Sequence, residues 1–299
     1  MPMTSTPDTP LVGLVGLGLV GQALAQRLKA AGYRCIGYDV RAQACADFAS
    51  QGHAIDDSVQ ALASQARTLV LAVFDTRGVV EIAQALMATS EAARGLTLID
   101  CSTGDPQALE ALAATLHCHG IAFIEAPLSG SSAQIAAGEA TMLLGGATHT
   151  IEAQHALLQA LSRRRVHVGG AGMGARAKLA TNLVLGLNRA VFAEGLVFAE
   201  RLGIAPAQFL ELVLATPARS EAAALKGPMM VAGSFAPQSR IRQHLKDVQL
   251  MLDAAQAAGQ GLPLSAAHAA LMRAAIAAGD GDLDNAAIVQ QIRREVPPA

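Results

Sequence analysis

From Leu11 to about Val168 the chain alternates short apolar runs with longer stretches whose apolar residues recur every three to four positions. The runs at 11–16, 33–38, 68–73, 96–100, 120–125, 140–145 and 164–168 have the length of buried strands. The stretches at 21–31, 41–50, 77–88, 105–117 and 148–161 carry helical spacing. Strands alternating with helices predict an α/β domain, a doubly wound and mostly parallel sheet with helices on both faces. After Gly174 the strand pattern stops. Helical spacing continues over 174–202, 206–214, 219–226, 240–258, 264–278 and 285–294, with joints expected at Pro206, Gly227-Pro228 and Gly261-Leu262-Pro263. The 174–202 segment would be about 40 Å long at 1.5 Å per residue. It predicts a spine leading from an α/β domain over 11–168 into an all-helical domain over 169–299. Residues 1–10, rich in Pro and Thr, read as a loose tail without the basic and apolar regions of a signal peptide.

Composition narrows the classes. Of 299 residues, 52% are hydrophobic and 15% charged, enough for a core with apolar surface left for subunit contacts, so a homodimer or homotetramer is expected. A net charge of −2 gives no electrostatic footprint for nucleic acid. The apolar run at 11–20 is too short for a bilayer and is broken by glycines, so no membrane partner is expected. Cys35, Cys45, Cys101 and Cys118 form no CxxC pair and read as free thiols in a reducing cytoplasm. His117-Cys118-His119 are consecutive and cannot all face one ion, so no metal is expected.

Residues 11–28, LVGLVGLGLVGQALAQRL, carry Gly16-x-Gly18-x-x-Gly21 between a strand and a helix. Gly16 suits a tight turn, Gly18 lets backbone approach a pyrophosphate, and Gly21 permits close helix–strand contact. The N–H groups where the helix opens, at Leu19 and Val20, face the phosphates. The next strand ends at Asp39, twenty-three residues after Gly16. An acid there accepts from an adenosine ribose hydroxyl and repels a 2′-phosphate, which favours NAD. Arg41, two residues on, would suit a phosphate and keeps NADP open.

Four further stretches carry a resemblance. They are TLIDCSTGDP (97–106), EAPLSGSSAQIAAGEATMLLGG (125–146), GGAGMGARAKLATN (169–182) and FAPQSRIRQHLKDVQL (235–250). Together with the fingerprint they resemble the β-hydroxyacid dehydrogenases, and among them the 3-hydroxyisobutyrate dehydrogenases and tartronate semialdehyde reductases. The resemblance runs from Leu11 to about Arg294 and implies a Rossmann-type domain followed by a helical one. It implies hydride transfer between NAD(P) and a small β-hydroxyacid or its semialdehyde.

By the same resemblance Lys178 is the acid/base group and Asn182, four residues on and so on the same helix face, holds the substrate hydroxyl in a cleft between domains. Burial and a positive nicotinamide ring would lower the basicity of such a lysine. Ser129, Gly130 and Ser131 would bind the substrate carboxylate. Lys246 would lie near nicotinamide and substrate, and Val73, Phe74 and Thr103 would line the cofactor. Departures from the family pattern fall at Phe74, where a proline is usual, at Ser131, where a glycine is usual, and at Ser239, Arg242 and Gln243. Arg219, beside a helix joint, would suit a second acidic group or an ordinary surface contact; roles for Arg240 and Arg242 are open. Two other readings share the architecture: an imine reductase, whose members usually lack lysine at the position of Lys178, and a non-catalytic NAD-binding scaffold.

Overall fold

The computed structural model describes residues 10–89 and 94–295; the tail expected at 1–10 lies, but for Pro10, outside them. The chain divides into two compact units, Met1–Lys178 and Leu179–Ala299.

The first unit runs β1 (Leu11–Val15), α1 (Leu19–Ala30), β2 (Arg34–Tyr38), α2 (Ala42–Ser50), β3 (Ala54–Ile55), α3 (Val59–Gln65), β4 (Thr68–Leu71), α4 (Thr76–Met87), β5 (Thr97–Asp100) and α5 (Pro106–Cys118). It continues with β6 (Ala122–Glu125), β7 (Leu128–Ser129), α6 (Ser132–Ala137), β8 (Thr141–Gly145), α7 (Thr148–Ala153), α8 (His155–Leu161) and β9 (Arg164–Gly169). The strands form one sheet ordered β3-β2-β1-β4-β5-β6-β8-β7, with β9 also on β8. All pairings are parallel except those of β8 with β6 and β7.

Period-two alternation sorts the strands' side chains onto two faces. Val12, Leu14, Val70 and Ile99 join Leu24 and Leu28 of α1, Phe48 of α2 and Leu158 of α8 in one core. Val15, Leu69, Leu71 and Leu98 join Leu62 of α3, Ile82 and Leu86 of α4, and Leu112 and Leu116 of α5 in the other. Helix starts follow cap chemistry. The side chains of Ser58, Asp75 and Asp105 accept from the N–H three residues on, and Pro106 occupies the first helical position where no donor is needed.

The single helix expected at 148–161 is two, parted at Gln154, whose amide reaches Thr97 Oγ1 at 3.3 Å. Four short elements, β3, α3, β7 and α6, were not expected from the pattern. A two-residue strand has no period to read, and helices of six or seven residues, under two turns, repeat theirs barely once.

The helix α9 (Met173–Arg201) opens in the first unit and continues through the second, which adds α10 (Pro206–Ala215), α11 (Glu221–Ala232), α12 (Ile241–Ala257), α13 (Pro263–Ala277) and α14 (Ile288–Glu295). Phe192, Leu196, Val213, Met230, Val248, Met272 and Ile288 share its core. By length and composition α9 would suffice to cross a membrane; its buried residues include Asn182 and Arg189.

The joint expected at Gly227-Pro228 is not one: Pro228 lies inside α11, which runs to Ala232. A proline there forfeits one ladder hydrogen bond, so the helix is held from outside itself. Lys226 is buried and pairs with both oxygens of Asp284 at 2.9 Å. A Cβ on Gly227 would stand 2.5 Å from Leu210 Cδ1 and 3.1 Å from the Phe192 ring. The glycine therefore marks close packing on α9 and α10 rather than a break.

Candidate active site

The turn from β1 into α1 is closed by its glycines. Gly16 has φ +93°, and a Cβ there would overlap the Ala72 carbonyl; a Cβ on Gly21 would overlap the Gly16 carbonyl oxygen. Gly18 is the N-cap of α1 and supplies no side-chain cap. A Cβ on Gly18 would meet only Arg41 Nη2, at 3.7 Å. The opening N–H groups of α1, at Leu19, Val20 and Gly21, have no acceptor within the helix, and the cradle before them is open enough for backbone to meet a phosphate. β1 lies between β2 and β4, where the strand order reverses, the position at which such sheets bind ligands.

Asp39, just past the end of β2, accepts from the Leu17 N–H at 2.8 Å, from the Arg41 N–H at 2.9 Å, and from Arg41 Nε and Nη2 at 3.0 and 2.9 Å. Burial pushes its carboxyl upward, but the Arg41 fork and the two N–H donors outweigh that and hold it below the usual range. The two residues whose demands on a ribose conflict are thus one ion pair, anchored to the fingerprint turn.

Val73 and Phe74 follow β4 and Thr103 follows β5. The Val73 N–H donates to Ser102 Oγ at 3.0 Å, and the Ser102 N–H donates to Asp100 Oδ1 at 2.9 Å, so the two loops are tied at the strand ends. Phe74 is 51% exposed. Open N–H groups, a glycine cradle and an acid at the second strand fit a dinucleotide.

Lys178 lies on α9, 6% exposed, and its Nζ donates to the Leu128 carbonyl oxygen at 2.7 Å. That carbonyl belongs to β7, immediately before Ser129 and Gly130, so the structure brings the expected acid/base lysine to the expected carboxylate loop. Ser131 departs from its expected part. It is the N-cap of α6 in a reciprocal capping box: its N–H donates to Gln134 Oε1 at 2.9 Å and its hydroxyl accepts from the Gln134 N–H at 3.3 Å. Both groups of Ser131 are therefore engaged within α6, whereas Ser129 and Gly130 lie ahead of the cap. The S-x-x-Q spacing at 131–134 was the available signal.

In the second unit Asn182 Nδ2 donates to Asp247 Oδ2 at 3.0 Å, and Lys246 Nζ stands 2.8 Å from Asp247 Oδ1. Asp247, to which the sequence assigned no part, joins two expected site residues on α9 and α12. Arg242 forks onto Asp282 at 2.7 and 2.8 Å, with Arg240 at 3.9 Å from the same acid, so the Arg242 fork is occupied. Arg219 is exposed between α10 and α11. Glu125 opens the 125–146 motif but had no part assigned to it; it is 1% exposed at the end of β6 and receives backbone N–H groups from the turn into α9.

Comparison with known proteins bears on the fold and the family. Residues 11–170 match the family described as the NAD binding domain of 6-phosphogluconate dehydrogenase, and residues 172–292 match the NAD-binding domain of NADP-dependent 3-hydroxyisobutyrate dehydrogenase. The chain is 29% identical to L-threonate dehydrogenase of Cupriavidus necator, covering 93% of this chain and 95% of that one. It is 26% identical to 2-hydroxy-3-oxopropionate reductase of Escherichia coli, covering 94% and 96%. The crystal structure of 3-hydroxyisobutyrate dehydrogenase from Salmonella typhimurium superposes with a TM-score of 0.82 at 25% identity, covering 94% and 99%. The chain belongs to the β-hydroxyacid dehydrogenase family of NAD(P)-dependent oxidoreductases.

Proposed function

We propose that this protein interconverts a small β-hydroxyacid and its semialdehyde, of the 3-hydroxyisobutyrate or tartronate semialdehyde type, with Lys178 as the acid/base. The observation that carries the reading is the buried Lys178 amine held 2.7 Å from the carbonyl that precedes Ser129 and Gly130. A nicotinamide, when bound, supplies the hydride acceptor or donor. Lys178 takes the hydroxyl proton in oxidation; in reduction its ammonium polarises the carbonyl oxygen and returns the proton. The Leu128 carbonyl aims the amine, and Ser129 with the Gly130 N–H receives the carboxylate. Asn182, one helical turn beyond Lys178, holds the substrate hydroxyl, and Asp247 orients both Asn182 and Lys246.

A preference for NAD is supported by Asp39 at the end of the second strand, the usual place of a ribose-binding acid, and by its pairing with Arg41, which occupies the cation a 2′-phosphate would use. The reading also takes the protein as a homodimer or homotetramer. Val184, Val191 and Phe198 support this, being exposed apolar residues at seven-residue steps along α9.

A panel of small hydroxyacids assayed with NAD and with NADP tests the proposal. Turnover of at least one β-hydroxyacid, faster with NAD, is expected. Turnover of cyclic imines but of no hydroxyacid would replace it with the imine reductase reading, and NADH binding without reduction of any aldehyde acid would favour a scaffold.

A further inference from the structure

Glu125 sits at the end of β6 with its carboxylate turned onto the first turn of α9. Oε2 accepts from the Gly172 N–H at 2.5 Å and Oε1 from the Ala175 N–H at 3.0 Å, with the Gly174 N–H a third backbone donor. These are the N–H groups that a helix start leaves without partners, and a negative charge there also meets the positive end of the helix. The strands and helix are pressed together at this point. Gly145 of β8 is paired with Glu125 in the sheet, and a Cβ on Gly145 would lie 2.6 Å from Glu125 Oε2 and 2.6 Å from the Gly174 nitrogen. A Cβ on Gly174 would lie 2.9 Å from Glu125 Cβ and 3.1 Å from the Gly145 nitrogen.

The clamp bears on Lys178 by geometry. Ala175 precedes Lys178 by three residues, less than one helical turn, so whatever fixes the Ala175 N–H fixes the rotation and height at which the lysine leaves α9. The acceptor of the amine, Leu128, pairs with Met142 of β8, the same strand whose Gly145 pairs with Glu125. One strand therefore indexes both ends of the lysine, its helix through Glu125 and its amine through Leu128.

We propose that Glu125 is the positioning residue for Lys178: its two carboxylate oxygens, each receiving backbone N–H of the glycine turn, set the register of α9 that delivers the amine to the carboxylate loop. The inference rests on Lys178 being the acid/base. Burial outweighs the backbone donors and, with neighbouring Asp100, raises the Glu125 carboxyl above the usual range. Donors facing both oxygens are best matched by the ionised form. Gln in its place always turns an NH2 toward one N–H.

The test is Glu125→Gln in the full chain, read by thermal midpoint, NADH dissociation constant, steady-state kinetics, and the rate at which Lys178 itself is modified by an amine-reactive reagent, followed by peptide mass spectrometry. The expected result is an NADH constant within about twofold of the parent. kcat should fall by at least about tenfold, the cost of an approximately 1 Å misplacement or less, and Lys178 labelling should be several-fold faster because the amine no longer holds to Leu128. Gly145→Ala, which leaves every charge in place and wedges the same junction, should move labelling and kcat the same way, and it decides the matter should Glu125→Gln fail to fold. Unchanged kcat and labelling in a folded variant would overturn the proposal. So would losses of NADH binding and thermal midpoint that parallel the loss of kcat with labelling unchanged. A parent enzyme with no hydroxyacid turnover would instead sink the acid/base reading, and the labelling comparison would still report on the clamp.

Discussion

Lys178 Nζ and the Leu128 carbonyl oxygen stand 2.7 Å apart in a buried setting, joining a helix to a two-residue strand fifty positions away in sequence. A backbone carbonyl cannot be mutated away or compete for a proton, so it orients the amine without neutralising it. The next side chain, Ser129, is the group proposed to meet the acid end of the substrate. Ser129→Ala is expected to raise KM for the hydroxyacid roughly tenfold, the worth of one hydrogen bond to a charged group, with kcat nearly unchanged. Steady-state kinetics check this; an unaltered KM would remove Ser129 from the carboxylate contact.

Asp39 and Arg41 neutralise each other beside the fingerprint turn. Asp39→Ala leaves the Arg41 fork without its acid and removes the acceptor proposed for a ribose hydroxyl. The ratio of kcat/KM with NAD to that with NADP should fall by at least about tenfold, since a hydrogen bond to a charged group is worth about 1.5–3 kcal/mol. Paired assays with the two cofactors read the ratio, and no change would mean that the pair does not set cofactor choice.

His268 is buried in the helical unit, and burial first, then the nearby Arg189 charge, brings its pKa from the ordinary 6.5 down to about 4. The folded form resists protonation while the unfolded chain accepts it. This residue's contribution to stability is therefore complete above pH 6.5 and is lost as pH falls toward 4, by about 3 kcal/mol if the shift acts in full. His268→Gln should flatten the stability curve across that window in denaturant titrations at several pH values. A variant with the same slope as the parent would refute the assignment.

Asp284 accepts not only Lys226 but the N–H groups of Gln238, Ser239 and Ala286. Losing the acid therefore strands a buried cation and three backbone donors, whereas losing the lysine strands the acid alone, still held by those donors. Asp284→Ala should cost more than Lys226→Met, with the acid variant at or above about 3–5 kcal/mol, the range for breaking a buried pair. Urea unfolding gives both values, and the reverse order would contradict the account.

The sheet and most helices were legible because apolar residues such as Leu69, Val70 and Leu71 make runs that only a doubly covered sheet can bury, while Val79, Ile82 and Leu86 keep helical spacing. The fingerprint was legible because its three glycines keep a fixed spacing between a strand and a helix, although Gly16 answers to the Ala72 carbonyl, fifty-six positions on. What escaped the sequence is chemistry between distant residues. Glu125 and Gly172 are forty-seven positions apart, and Asn182 and Asp247 sixty-five. Gly227-Pro228 misled for a related reason: its glycine answers to Phe192 and Leu210, which no local pattern reveals. Ser131 carried two possible meanings, an anion loop and a helix cap, and only the bonds to Gln134 distinguish them.

In the proposed reaction the Lys178 amine is the group that moves the proton. The most direct measurement is kcat of Lys178→Ala for the best hydroxyacid of the panel, alongside its NADH dissociation constant. A loss of at least about 10²-fold in kcat is expected, the low end for removing an acid/base group, with cofactor binding within a few-fold of the parent. Full turnover by that variant would contradict it.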